Sequence, residues 1–132
     1  MKAISLPDPA KDYDNVEAVV TGWGSLSNDE PTSPDILQEV RLRTMSNQQC
    51  RETKINDEAI TDFMICAEEP GKNACHGDSG GPLALEGQDG NYLLGIVSHT
   101  GDLLGRCALP DLPVVYTRVT AFIEWIENNK KQ

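Results

Sequence analysis

The sequence predicts an all-β domain of six short antiparallel strands, a barrel or a sandwich, finished by one C-terminal α-helix. Three observations carry this. Six runs rich in β-branched and aromatic residues, each of strand length, recur along the 132 residues. Turn-forming residues are scattered between them instead of gathering into one linker. The apolar spacing changes from that of a strand to that of a helix only at the end of the chain.

Residues 16–21 form the first predicted strand and residues 36–42 the second. In the second, Leu37, Val40 and Leu42 alternate imperfectly with Gln38, Glu39, Arg41 and Arg43, the pattern of a strand with one wet face. Residues 63–67, 81–85, 92–98 and 114–119 supply the remaining four. Segments 28–34, 69–72, 87–91, 101–106 and 110–113 read as turns between them. At the end, Val119, Phe122, Ile123 and Ile126 fall at i, i+3, i+4 and i+7, while Glu124, Glu127 and residues 128–131 take the opposite side. This spacing predicts an amphipathic helix over 120–130, capped by Thr120, with Lys130 and Lys131 at the negative end of its dipole.

At this length folding buries roughly two thirds of the unfolded surface, enough for one self-sufficient core and too little chain for a second domain. Eleven Lys plus Arg stand against 21 Asp plus Glu, a formal charge of −10. That balance repels phosphate backbones and anionic membrane surfaces, and no basic stripe offsets it, so neither is an expected partner. The longest apolar runs, such as residues 92–97, fall far short of the ~20 residues needed to cross a bilayer. Pro7, Asp8 and Pro9 interrupt any apolar stretch that a secretory leader would need, so a processed or added N-terminus is expected.

Cys50, Cys66, Cys75 and Cys107 are an even number with no C-x-x-C pair, and His76 and His99 are the two histidines. Two disulfides in an oxidising compartment are one reading, and four buried thiols are the other. A structural zinc site would show closely paired ligands and does not fit.

The segment richest in chemistry is Asn73-Ala74-Cys75-His76-Gly77-Asp78-Ser79-Gly80-Gly81-Pro82-Leu83. A serine among glycines is the composition of a plain turn. It is equally the composition of a nucleophile loop, because glycines let peptide N–H groups converge on one point, as an oxyanion site requires.

The string GDSGGPL from Gly77 to Leu83, with Cys75 two residues ahead, resembles the nucleophile loop of the chymotrypsin/trypsin-like serine endopeptidases. Further strings resemble the same family in the same order. They are Val20-Thr21-Gly22-Trp23-Gly24, Met64-Ile65-Cys66-Ala67, Gly95-Ile96-Val97-Ser98, and Val115-Tyr116-Thr117-Arg118-Val119 followed by the helix through Trp125. Together they cover nearly the whole chain. The resemblance narrows the fold to a six-stranded antiparallel β-barrel with a C-terminal α-helix, one half of a double-barrel protease. Residues 1–15 would then be an interdomain linker and residues 16–132 the second barrel.

Carried over residue by residue, the resemblance implies a serine-type endopeptidase that works through an acyl-enzyme on Ser79. The backbone N–H groups of Gly77 and Ser79 would form the oxyanion hole. Asp78 would pair with the freed N-terminus of the other half, against the simpler role of capping its own loop. Ser98 would support the triad aspartate, and residues 98–100 would pair with the substrate backbone as an added strand. Cys50 would bond Cys66, and Cys75 would bond Cys107. Ala18, Leu85 and Ser5 stand where family members often carry further cysteines. No cofactor or metal is implied.

A serine hydroxyl needs a base within hydrogen-bond reach, itself oriented by a carboxylate. In the family both come from the N-terminal half, and neither motif precedes Ser79 here. The resemblance places His76 on the pocket rim and His99 at a substrate subsite, so both read as substrate-binding residues. The expected partners are therefore an N-terminal protease half carrying His and Asp, a polypeptide substrate and a protein inhibitor, with self-association if the chain is alone. Asn73, six residues before Ser79, would be an uncharged pocket floor that cannot offset the desolvation of a cationic side chain. Thr100 and Val114 would narrow the pocket, giving a choice of small to medium apolar residues close to that of elastases, with a chymotrypsin-like choice next. The expected location is extracellular. The reading from a different class is a non-catalytic protease homologue that uses the same surface to bind a protein.

Overall fold

The computed structural model describes residues 1–29, 32–55, 59–102 and 104–131. Six antiparallel strands close into one barrel: β1 (Glu17–Gly22), β2 (Gln38–Met45), β3 (Met64–Glu68), β4 (Pro82–Gly87), β5 (Gly90–Thr100) and β6 (Val114–Arg118), in the spatial order β1-β2-β3-β6-β5-β4. Closure comes from β1 meeting β4, with Val19 opposite Ala84 and Val20 opposite Leu83. Closing the sheet removes the free edges that an open sheet of this size would expose. Of the predicted turn segments, positions 30, 31 and 103 lie outside the described residues.

Strand alternation fills the barrel. Ala18 and Val20 of β1, Leu42 of β2, Ile65 and Ala67 of β3, Leu83 of β4, Leu94 of β5 and Val114 and Tyr116 of β6 form one buried cluster. Residues of opposite parity on β3 and β6, Cys66 and Val115, face outward into a second cluster with Cys50, Ile55 and Ile60. The Cys50–Cys66 disulfide staples that outer layer to the barrel wall. Ala18 belongs to the inner core and Leu85, partly buried, packs against it; the resemblance places cysteines at both positions in many members.

Several boundaries differ from the sequence-based ones because pairing partners set them. Ile36 and Leu37 are exposed and lie before β2, which runs on to Met45 because Thr44 and Met45 find Ala67 and Cys66 opposite. Strand β5 extends to Thr100, which pairs with Val114. A short helix, α1 (Asn47–Arg51), was not expected; Ser46 and Gln49 cap it reciprocally, Ser46 Oγ accepting from Gln49 N at 3.1 Å and Ser46 N donating to Gln49 Oε1 at 3.0 Å. The C-terminal helix is shorter than 120–130, and Thr120 does not cap it. Residues Val119–Phe122 form a 3₁₀ turn that absorbs Thr120, and α2 (Ile123–Asn129) starts after Phe122 without a side-chain cap. Phe122 packs instead against Phe63, with ring centroids 5.6 Å apart.

Candidate active site

The loop that carries Ser79 is held by its own turn and by β5. Asp78 N donates to Cys75 O and Gly81 N to Asp78 O, each at 2.9 Å. Gly80 N donates to Val97 O, and Val97 N to Gly81 O, both also at 2.9 Å. Gly77 (φ +98°) and Gly80 (φ +82°) occupy the left-handed region that this path demands. A Cβ at Gly77 would also stand 3.1 Å from Gly24 Cα, so the loop approaches the end of β1 too closely for a larger residue. The amides of Asp78, Gly80 and Gly81 are thus engaged, whereas those of Gly77 and Ser79 donate to no acceptor among the described residues. Ser79 is exposed, and its hydroxyl bonds no described residue.

Asp78 points away from the serine. Its Oδ1 accepts from Gly24 N and its Oδ2 from Cys75 N, each at 2.9 Å. A Cβ at either Gly22 or Gly24 would overlap that carboxylate outright, which accounts for the glycines flanking exposed Trp23. The carboxylate lies in a cleft of about 260 Å³ whose lining includes Gly22, Gly24, Gln38, Asn73, Cys75 and Cys107.

A second cleft, of about 470 Å³, brings together Ser79, His76, Ser98, His99, Thr100 and Val114, with Ile55, Ala74 and Val97 as apolar walls. Asn73 is not part of it. Cys75 lines both clefts, and Asn73 lines the one that holds Asp78. Its buried Oδ1 has no partner among the described residues. The hydroxyl of Tyr116, deep in the barrel, is likewise buried without one. Burial first, and the charge of Asp78 second, push the Tyr116 pKa well above that of an ordinary tyrosine.

Neither imidazole is bonded to Ser79. His76 donates from Nε2 to Gly105 O at 2.6 Å, and His99 Nδ1 shares a hydrogen bond of 3.1 Å with Ser98 Oγ. The strand geometry places Ser98: Val97 faces Tyr116 and His99 faces Val115, so Ser98 is the extra residue of a bulge that re-aims the strand at the cleft. Pairing of β5 with β4 starts at Ile96 opposite Pro82, which leaves residues 98–100 with a sheet neighbour on the β6 side only.

The lining of the Ser79 cleft also includes Asp102, which the sequence did not single out. Its Oδ2 accepts from Arg106 N and Nε at 2.9 Å, and its Oδ1 from Arg106 Nη2 at 3.1 Å. These bonds hold the Asp102 carboxyl at about 2, below its ordinary 3.8. The segment that follows is tied across by the Cys75–Cys107 disulfide and by Asn28, whose Nδ2 donates to Cys107 O at 2.9 Å while its Oδ1 accepts from Cys107 N at 2.7 Å. The D-x-x-x-R spacing inside a turn segment is a signal for the first pair; nothing in the sequence announces Asn28. Cys75, His76 and Cys107 offer ligand atoms within 4.8 Å of one another, but both sulfurs are in a disulfide and no thiolate is there to bind metal.

Among described residues, no helix is long and apolar enough to cross a membrane. Comparison with known proteins agrees with this fold. The Trypsin family model matches residues 1–126. The chain is 40% identical over 132 residues to the proclotting enzyme of Tachypleus tridentatus, covering 96% of this chain and 34% of that protein. It is 46% identical over 113 residues to Trypsin-1 of Astacus astacus, covering 84% of this chain and 45% of that protein. It thus spans between about a third and a half of these relatives' length. A mouse neuropsin structure, described as a serine protease expressed in the limbic system of the brain, superposes with a TM-score of 0.80 at 29% identity, over 96% of this chain and 53% of that one. A closed six-stranded barrel, a serine loop held on β5 and a family match over nearly every residue lead to one assignment: this chain belongs to the trypsin family of serine proteases.

Proposed function

We propose that this chain is the nucleophile-bearing half of a serine endopeptidase, in which Ser79 forms the acyl-enzyme and the Gly77 and Ser79 amides hold the oxyanion. The observation that carries the reading is that these two amides have no acceptor among the described residues beside an exposed serine, while those of Asp78, Gly80 and Gly81 in the same loop are bonded. Unengaged N–H groups fixed by a rigid turn stabilise developing negative charge without reorganising. The base and its carboxylate come from a complementary half that supplies a histidine and an aspartate, since His76 and His99 are engaged by Gly105 and Ser98. Ser98 and the adjoining edge of β5 face that half and the substrate backbone. Asp78, in its own cleft, receives the cationic N-terminus of the other half.

The apolar walls Ile55, Ala74, Val97 and Val114 suit a small to medium apolar side chain, close to the choice of elastases. That preference rests on uncharged Asn73, six residues before Ser79, and on Val114 and Thr100. Two disulfides are consistent with an extracellular setting. Exposed Trp23, Leu26, Ile36, Leu104 and Trp125 support self-association of the chain when alone, with a protein inhibitor as a further partner of the cleft. A monomer by light scattering would count against the first of these.

The test is labelling with a serine-directed phosphonofluoridate. The isolated chain should label slowly and hydrolyse no ester, and adding a half with matching His and Asp motifs should give stoichiometric labelling at Ser79. Fast labelling and turnover by the chain alone would refute the division of labour. Absence of labelling in a stable complex of both halves would favour the second reading, a non-catalytic homologue that binds protein through this cleft. That reading draws on the absence of any hydrogen bond to the Ser79 hydroxyl among described residues.

A further inference from the structure

We propose that Asp102 is a positioning residue for the Gly77 amide, acting through the Gly105–Arg106 peptide and the ring of His76. This rests on reading Gly77 as an oxyanion donor. Asp102 Oδ2 accepts from Arg106 N at 2.9 Å, and the carbonyl at the other end of the same peptide, Gly105 O, accepts from His76 Nε2 at 2.6 Å. No peptide among the described residues is cis, so that N–H and C=O point in opposite directions. A carboxylate that fixes the one therefore aims the other at His76. It also polarises the peptide, which makes its oxygen a better acceptor.

The surroundings of Asp102 suit this role. Its side chain is 9% exposed although it lines the cleft. Arg106 Nε and Nη2 engage the carboxylate at 2.9 and 3.1 Å, and Gly105 N donates to Asp102 O at 2.9 Å to close the turn. Gly105 takes the left-handed φ of +74° on that path, and a Cβ there would stand 3.4 Å from His76 Cε1. Position 103 lies outside the described residues, and none of these bonds involves it.

His76 passes the constraint on to the next residue. Its ring is fixed by Gly105 O, and its main-chain carbonyl accepts from Ser25 N at 2.7 Å. That carbonyl belongs to the peptide whose N–H is the Gly77 donor. The His76–Gly77 plane is thus held at its carbonyl and, one Cα away, through the side chain, while its N–H has no acceptor among the described residues. An oxyanion donor acts by needing no reorganisation, so the groups that fix its plane share in its effect.

The experiment follows the full chain, labelled with nitrogen-15, by NMR of the His76 ring N–H and the Gly77 amide. In the parent, the His76 Nε2 proton should resist exchange with water. Asp102→Ala removes every bond to the carboxylate, and should open that proton to exchange and shift the Gly77 amide. Arg106→Gln leaves the carboxylate on the peptide N–H, and Asp102→Asn leaves an oxygen there, so both should retain the parent signals. In a His76→Ala background, Asp102→Ala should no longer move the Gly77 amide. Urea midpoints report whether each variant folds, and the parent's ring proton tests the first link without any variant. A freely exchanging ring proton in the parent, or an unmoved Gly77 amide in folded Asp102→Ala, would overturn the proposal. An equal effect of Arg106→Gln would also overturn it, by reducing Asp102 to a support for the guanidinium.

With a complementary half supplying His and Asp, Asp102→Ala should lower kcat for an ester about ten- to hundredfold, less than the loss of a whole oxyanion donor, with KM little changed. An active parent complex matched in rate by its Asp102→Ala counterpart would overturn the positioning role alone. A parent complex that neither labels nor turns over would overturn the oxyanion reading, and the role of Asp102 with it.

Discussion

Replacing Gly24 by Ala adds one methyl group, which would sit 2.6 Å from Asp78 Oδ1 and closer still to Cγ and Oδ2. The end of a side chain can move aside. This one moves only by releasing two charge-assisted bonds, from Gly24 N and Cys75 N, each 2.9 Å long. Such bonds contribute about 1.5 to 3 kcal/mol apiece. Asp78 is half-buried and regains hydration on release, so the lower end applies and the loss is about 3 kcal/mol. Gly24 does not have a left-handed φ, so Ala brings no backbone strain and stiffens the unfolded chain slightly, an offset of about 0.4 to 1 kcal/mol. The net cost is about 2 to 2.5 kcal/mol.

A double-mutant cycle isolates the mechanism. Asp78→Ala removes the same two bonds and should cost about 3 kcal/mol alone. With the carboxylate gone, Gly24→Ala meets no obstacle, so the double variant should be no less stable than Asp78→Ala, a coupling of at least about 2 kcal/mol. Urea unfolding followed by tryptophan fluorescence measures this, with Trp23 reporting from between the two glycines. Additive losses in the double variant would refute the claim that Gly24 is glycine because of Asp78.

The two disulfides close loops with sequence separations of 16 and 32. In the chain-entropy model they contribute roughly 3 to 4 kcal/mol each, so urea midpoints should fall more for the Cys75/Cys107 Ala pair than for Cys50/Cys66; the reverse order would reject loop entropy as the cause. The folded pKa of Asp102, about 2, lies below its ordinary 3.8, so the stability it adds is complete above that ordinary value and is lost as pH falls from there through about 2. Carbon-13 titration of the carboxyl should show that midpoint, and Arg106→Gln should raise it; an ordinary midpoint in the parent would contradict the Arg106 contacts. Tyr116→Phe removes a buried hydroxyl that has no partner among the described residues, so thermal unfolding should show equal stability or a gain of up to about 1 kcal/mol. A clear loss would reveal an acceptor in the barrel.

Most of the barrel was legible because its strands are short apolar runs rich in β-branched residues: positions 18–20, 65–67 and 114–116 are buried throughout. The ends were not legible. Gln38 begins β2 because Gly22 stands opposite it, and Thr100 ends β5 because Val114 does, and neither partner is near in sequence. Thr120 has the right residue type for a helix cap, but Phe122 packing on Phe63 favours a 3₁₀ turn there. Helix α1 carried a readable signal in Ser46 and Gln49 that the β-rich context concealed.

The chain order of residues 73–83 alone determined which serine is exposed on a glycine loop, because glycine spacing dictates where a backbone can turn left-handed. Which groups surround that serine was decided only by tertiary structure. Asn73, six residues away, lines the cleft of Asp78, while His99, twenty positions on, shares the serine's cleft. Asn28 reaches Cys107 across 79 residues. Sequence separation constrains distance only through a short stretch of backbone; beyond that, closure of the barrel decides which side chains meet.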